Sequence, residues 1–169
     1  MSLCRQNYHV DCEAGVNKQI NLELQAMYAY MAMTAYYDRD DVALGKVASF
    51  FRKSAAEEKC HADLLIEYQN KRGGCVTLEP IPTPSQDTFE NLEQAFQAAL
   101  DLEKKVNQAL LGLHEVAAKH DDAQMTDFLE GSFLGEQADA IKELASHVTN
   151  LKRLGAGQGE WHFNNTLEI

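Results

Sequence analysis

The sequence predicts an all-α fold, an antiparallel four-helix bundle with one long crossover and a short fifth C-terminal helix. Three observations carry that prediction. All three prolines, Pro80, Pro82 and Pro84, fall within five residues. The segments on either side are rich in Ala, Leu, Glu, Gln and Lys, the strongest helix formers. No stretch shows the two-residue alternation of a strand, an internal repeat or low complexity. With 169 residues, 45% of them apolar, the chain is long enough to bury its own core, and residues 1–169 read as one domain.

The first helix is expected over about 11–38. Asp40 and Asp41 then offer N-caps for a second over about 44–72, which stops at Gly73-Gly74, where glycine tolerates the left-handed conformation of a helix terminus. Asp87, with Glu90 three residues on, reads as a capping box for a third helix over about 88–119. Asp121-Asp122 cap a fourth over about 123–153, and a short fifth runs over about 160–169. The links between the first and second helices and between the third and fourth are only a few residues, which forces antiparallel hairpins. The stretch from Gly73 to Asp87 extends to roughly 50 Å at 3.3 Å per residue, enough to run the length of a helix of ~28 residues. The second and third helices can therefore lie parallel.

Charge narrows the partners. Twenty-six acidic residues against 15 basic ones leave a net charge of -11, which disfavours binding to nucleic acid or to anionic membrane and favours cations. No apolar run approaches the ~20 residues of a membrane span. The first 30 residues contain Asp11, Glu13, Asn21 and Glu23, so they supply no signal-peptide core. Cys4, Cys12, Cys60 and Cys75 have neither zinc-site spacing nor disulfide-scaffold density and read as free thiols. A cytoplasmic protein is the expectation.

Chemistry enters through the core-facing seams, which follow alternating steps of four and three residues. The first helix gives Val16, Ile20, Glu23, Met27, Tyr30 and Thr34, and the second Val47, Phe51, Ser54, Glu58, His61, Leu65 and Tyr68. The third gives Leu92, Phe96, Ala99, Glu103, Val106, Leu110, Leu113 and Ala117. The fourth gives Phe133, Gln137, Ala140, Leu144, His147 and Leu151. Each seam is interrupted by a polar residue near the helix midpoint, and helices of similar length bring their midpoints to one depth. Glu23, Glu58, His61, Glu103 and Gln137 should therefore converge. Three carboxylates buried together repel one another and are tolerable only when protons or cations neutralise them. Glu58 and His61, three apart on one helical face, can reach one ion while the second oxygen of Glu58 reaches another. Carboxylates with one imidazole and no thiolate suit iron or manganese better than structural zinc, and iron is the expectation. Glu23 and His61 would complete the first position, and Glu103, with Gln137 beside it, would hold the second. Two adjacent ferrous ions can deliver two electrons to O2 together. Tyr30, one heptad from Glu23, can hydrogen-bond the site or donate an electron. Taken singly, a Glu-x-x-His pair or a buried tyrosine is as readily an ordinary core feature. The weight rests on their conjunction.

Residues 21–33 (NLELQAMYAYMAM), 38–44 (DRDDVAL), 57–62 (EEKCHA), 102–111 (LEKKVNQALL) and 136–155 (EQADAIKELASHVTNLKRLG) resemble ferritin, specifically the catalytically active, heavy-chain-like animal type, over nearly the whole chain. The resemblance implies a homo-oligomeric, hollow shell of 24 subunits that oxidises Fe(II) with O2 at an intrasubunit di-iron ferroxidase centre and stores the product as ferric mineral. It puts that centre on Glu23, Glu58, His61, Glu103 and Gln137, with the family's tyrosine at Tyr30. Symmetric di-iron bundles carry a second Glu-x-x-His on the fourth helix, where this chain has Gln137 and Ala140. The resemblance further implies iron-entry channels lined by Asp127 and Glu130, a transit route past Glu57 and Glu136, and mineral nucleation at Glu57 and Asp63. Cys60 stands where active chains usually have another acid, and His162 would face a four-fold axis in place of an apolar residue. A non-catalytic shell subunit, a discrete di-iron oxidase and a helical signalling module are the alternatives.

Overall fold

The computed structural model describes residues 2–168, and its regular secondary structure is all helical, with no strand among them. Helix α1 spans Val10–Tyr37, α2 Gly45–Lys71 and α3 Leu92–Lys119; α4 (Ala123–Leu129) continues through a π-helical turn (Glu130–Leu134) into α5 (Gly135–Leu154), and α6 spans Gln158–Thr166. Helices α1 and α2 pack as one hairpin, and α3 packs against α4 and α5 as the other. The connection after α2 is extended and lies along α1. Asn17 donates to the carbonyl of Cys75 at 3.0 Å and accepts from the Thr77 N–H at 3.1 Å, Asn21 donates to the Glu79 carbonyl at 3.2 Å, and Glu13 accepts from the Cys75 N–H at 2.8 Å.

The helix ends obey simple rules, though not always with the expected residues. Gly73 takes φ +74°, a left-handed conformation in which glycine is unstrained, and ends α2. Asp122 caps α4 by accepting from the Met125 N–H at 3.1 Å. Asp87 and Glu90 do not open α3. The helix starts four residues later than expected, at Leu92, where Asn91 accepts from the Gln94 N–H at 2.8 Å. Asp40 and Asp41 likewise do not cap α2, and Asp41 pairs with Arg39 at 2.8 Å instead. The cap of α2 comes from α6: Asn164 Oδ1 accepts from the N–H groups of Lys46 and Val47 at 3.0 and 3.2 Å. Glu160, also on α6, accepts from the Leu92 N–H at 2.6 Å. A nine-residue helix too short to stand alone is thus held by serving two helix N-termini.

The apolar interior forms two clusters. One is built around Phe51, Phe96 and Leu144, the other around Ile20, Leu65, Leu110 and Leu129. The polar interrupters of the seams occupy the bundle between them. In α4 and α5 the buried series Met125, Leu129, Phe133, Gln137 advances by four residues three times. In an unbroken α-helix those steps would carry Gln137 roughly 120° around the axis from Met125. The π-turn accommodates one extra residue, about 100° of that drift, and keeps Gln137 facing inward. Further along, Val148 is fully buried beside half-buried His147.

Candidate metal centre

Glu23 comes from α1, Glu58 and His61 from α2, Glu103 from α3 and Gln137 from α5. All five are buried, with 0, 3, 8, 4 and 2% of their surfaces exposed. They line one region, and a cavity of about 90 Å³ opens beside Tyr30, Glu58, His61, Glu103 and Gln137. That space exceeds what one water needs. Glu23, Glu58 and His61 each offer one ligand atom within 4.8 Å of the others. The His61 Nδ1 lies 3.7 Å from Glu58 Oε2.

Hydrogen bonds orient these carboxylates from behind. Gln19, one turn before Glu23, donates to its Oε1 at 2.8 Å. Glu103 accepts from the Tyr30 hydroxyl at 2.5 Å through Oε1 and from Gln137 Nε2 at 3.0 Å through Oε2. Gln137 also donates to the Glu103 carbonyl at 3.2 Å, so its amide is fixed by side chain and backbone together. One oxygen each of Glu23 and Glu58, the Oε2 atoms, is buried with no partner. Leaving a buried carboxylate oxygen unsatisfied costs about 1–3 kcal/mol or more, so two of them beside each other mark an unmet demand for positive charge.

The electrostatics agree. Burial, then the neighbouring Glu58, pushes the Glu23 carboxyl far above the ordinary carboxylate range. Burial does the same to Glu58, which also faces Glu103. Without a cation the pair therefore holds protons more tightly than exposed carboxyls do. Burial, with Glu103 alongside, lifts the Tyr30 phenol well above its usual value, which keeps it a hydrogen-bond donor. Tyr30→Phe is expected to destabilise the chain by about 2 kcal/mol, the worth of a hydrogen bond to a charged acceptor. Because the substitution removes an orienting contact and no candidate ligand, it should weaken metal binding at the centre by about tenfold without abolishing it. Chemical denaturation and metal titration would measure the two effects.

The remaining predicted residues lie outside this centre. Glu136 and Glu57 are exposed at the cavity, and Glu136 Oε2 reaches His61 Nε2 at 3.4 Å. Partial desolvation at the cavity wall, the largest influence on Glu57, raises its pKa against the opposing charge of Lys53, and Glu136 adds to the rise. Asp63 is exposed and paired with Lys59 at 2.5 Å. Asp127 is exposed on α4, and Glu130, at the start of the π-turn, pairs with His114 at 2.7 Å. His162 is exposed on α6. Gln19 was not anticipated, although its place four residues before Glu23 on the same helix was a readable signal.

Known proteins share this arrangement of sequence. The family model described as a ferritin-like domain matches residues 13–154. The soma ferritin of Lymnaea stagnalis is 53% identical over 164 residues, which cover 97% of this chain and 94% of that protein. The lower ferritin subunit of Aquarana catesbeiana is 51% identical, covering 96% of both. Ferritin-3, chloroplastic, of Arabidopsis thaliana is also 51% identical, and this chain spans 66% of its length. A bundle of this topology, an acidic pocket at its centre and half of all residues shared across nearly the full length have one explanation: the chain belongs to the ferritin family.

Proposed function

We propose that this chain is a catalytically active ferritin subunit, which oxidises Fe(II) with O2 at the buried carboxylate centre and passes Fe(III) to a mineral held in an assembled shell. Iron storage is the function of the family, and the catalytic step is the finer reading. The observation that carries it is the pair of unpartnered oxygens on Glu23 and Glu58, buried within reach of His61. A subunit that only lined a shell would have no use for that arrangement, which lowers stability in the absence of cations.

In this reading Glu23 and His61 hold one Fe(II), Glu103 holds a second, and Glu58, lying between Glu23 and Glu103, spans the two. Each Fe(II) loses one electron. O2 takes both, together with two protons from water, and leaves as hydrogen peroxide, so no one-electron oxygen species is released. Gln19 and Tyr30 fix the carboxylates that the ions bind. Gln137 is neutral where a further carboxylate would hold Fe(III) tightly, so the second position favours release of product. Glu57 and Glu136, exposed at the cavity, serve as the approach.

A 24-subunit shell of this chain is part of the same proposal. Support comes from large apolar side chains left exposed on the single chain, among them Met31 on α1, Leu78 on the crossover and Trp161 on α6. Asp127 and Glu130 would line its iron-entry channels. The cytoplasm suits the four cysteines, which are all free. The test is an oxygen-electrode titration of the iron-free protein at low loading. Consumption should run at about two Fe(II) per O2 and saturate near two Fe(II) per chain. A rate that rises with iron without saturation, or that matches buffer alone, overturns the proposal.

A further inference from the structure

A second cluster of metal-ligating side chains lies on the surface, between the N-terminal end of α1 and the C-terminal end of α3. His9 is the residue before α1, Asp11 sits in its first turn, and His120 follows the last residue of α3. The His120 Nε2 is 2.9 Å from Asp11 Oδ2, and the His9 Nδ1 is 3.4 Å from the same oxygen. The two imidazole rings stack, with centroids 3.6 Å apart and planes 12° from parallel. Each residue presents one ligand atom within 4.8 Å of the other two.

We propose that His9, Asp11 and His120 form a surface site for a divalent transition ion of the zinc or copper class, chemically distinct from the buried carboxylate centre. The spacing fits. Two ligands held at about 2.0–2.1 Å by a tetrahedral ion stand roughly 3.4 Å apart, and the two measured edges are 2.9 and 3.4 Å. Two imidazoles and one carboxylate can also hold Fe(II), but the affinity order of divalent ions at such a nitrogen–oxygen site puts Cu(II) and Zn(II) above Fe(II).

The ligands are set by the fold and not by one flexible segment. His9 is fixed as the N-cap of α1, where its Nδ1 accepts from the Asp11 N–H at 3.1 Å. Asn7 donates to the Asp121 carbonyl at 3.4 Å, tying the N-terminal segment to the turn that carries His120. Metal binding exchanges three contacts: the stacked rings swing apart so that both lone pairs can meet at one ion, the His120 Nε2 proton that Asp11 accepts moves to Nδ1 or to water, and His9 gives up the Asp11 N–H. The His9 Nδ1 lone pair turns to the ion, and the freed N–H, at an exposed helix end, passes to water. The carbonyl end of α3 favours a nearby cation and offsets the opposing N–H end of α1.

Anomalous diffraction from crystals of the full chain soaked in Zn(II), with data on both sides of the zinc edge, tests the proposal directly. A peak should appear within bonding distance of all three side chains. In solution, calorimetric titration with Zn(II) should show one ion fewer per chain for His9→Ser combined with His120→Gln. The serine preserves a helix cap, and His120→Gln alone, which touches no cap, should lose the same ion. The circular dichroism of these variants and their rate of Fe(II) oxidation should equal the parent's, which separates this site from the buried centre. The absence of a peak at this position, a peak touching only one histidine, or unchanged Zn(II) stoichiometry in both variants would establish a simple ion pair in its place.

Discussion

Replacing Glu58 and His61 together by alanine is expected to slow aerobic Fe(II) oxidation by at least about a hundredfold, the scale on which loss of metal-coordinating groups disables such sites. Glu58 is the only carboxylate in the centre that faces both Glu23 and Glu103, and His61 is its only imidazole. With both gone, no two positions remain close enough to deliver electrons to one O2. The fold should survive. The double substitution removes a carboxyl whose burial already works against stability, and it leaves every member of the two flanking apolar clusters in place, losing only the edge contact of His61 with Phe133. Thermal unfolding of the iron-free protein should therefore change little, or shift upward, while stopped-flow absorbance shows the loss. Retention of more than a tenth of the parent rate would place oxidation elsewhere on the molecule.

The contrast between the two halves of that expectation shows how much the sequence could say. The central polar residues were legible because a buried charge is an anomaly. Glu23, Glu58 and Glu103 interrupt otherwise apolar seams, and every seam residue expected in α3 is buried. What could not be read was what depends on groups far apart in the chain. Asp40, Asp41 and Asp87 look like helix caps because capping was inferred from neighbours in sequence. For α3 the cap is still local, Asn91 in place of Asp87, but the side chains that serve the first N–H groups of α2 and that of Leu92 are Asn164 and Glu160, brought from the other end of the chain by α6. The π-turn was equally hidden. Its trace in the sequence is a run of four-residue steps, and a seam read on a 3.5-residue repeat averages such a step away. Thus the buried polar residues could be named from their own strangeness, while the backbone irregularity that aims Gln137 at Glu103 shows only in the fold.

The ion pair of Arg72 with Asp122 should be the most costly surface-proximal contact to break, and Asp122→Ala is expected to lower stability by about 3–5 kcal/mol. Asp122 is 1% exposed and meets two guanidinium nitrogens, each at 2.9 Å. The same carboxylate caps α4 through the Met125 N–H. Arg72 in turn hydrogen-bonds the Tyr68 hydroxyl, donates to the Asn7 carbonyl at 2.8 Å and lies over the Tyr8 ring at 4.7 Å. One carboxylate therefore joins the end of α2, the N-terminal segment and the start of α4. Its removal leaves a half-buried guanidinium without a counter-charge and a helix without its cap, and these two losses set the magnitude. Asp122→Asn separates them: the amide can still cap, so its cost should be close to that of the unpaired charge alone. The exposed pair Arg39 with Asp41 supplies the control, because a solvated ion pair contributes at most about 1 kcal/mol and Arg39→Ala should barely register. Denaturation midpoints for the three variants, taken at equal subunit concentration, would show the ordering. Equal costs for Asp122→Ala and Arg39→Ala would mean that water reaches Arg72 in solution and that the junction is held by its aromatic contacts alone.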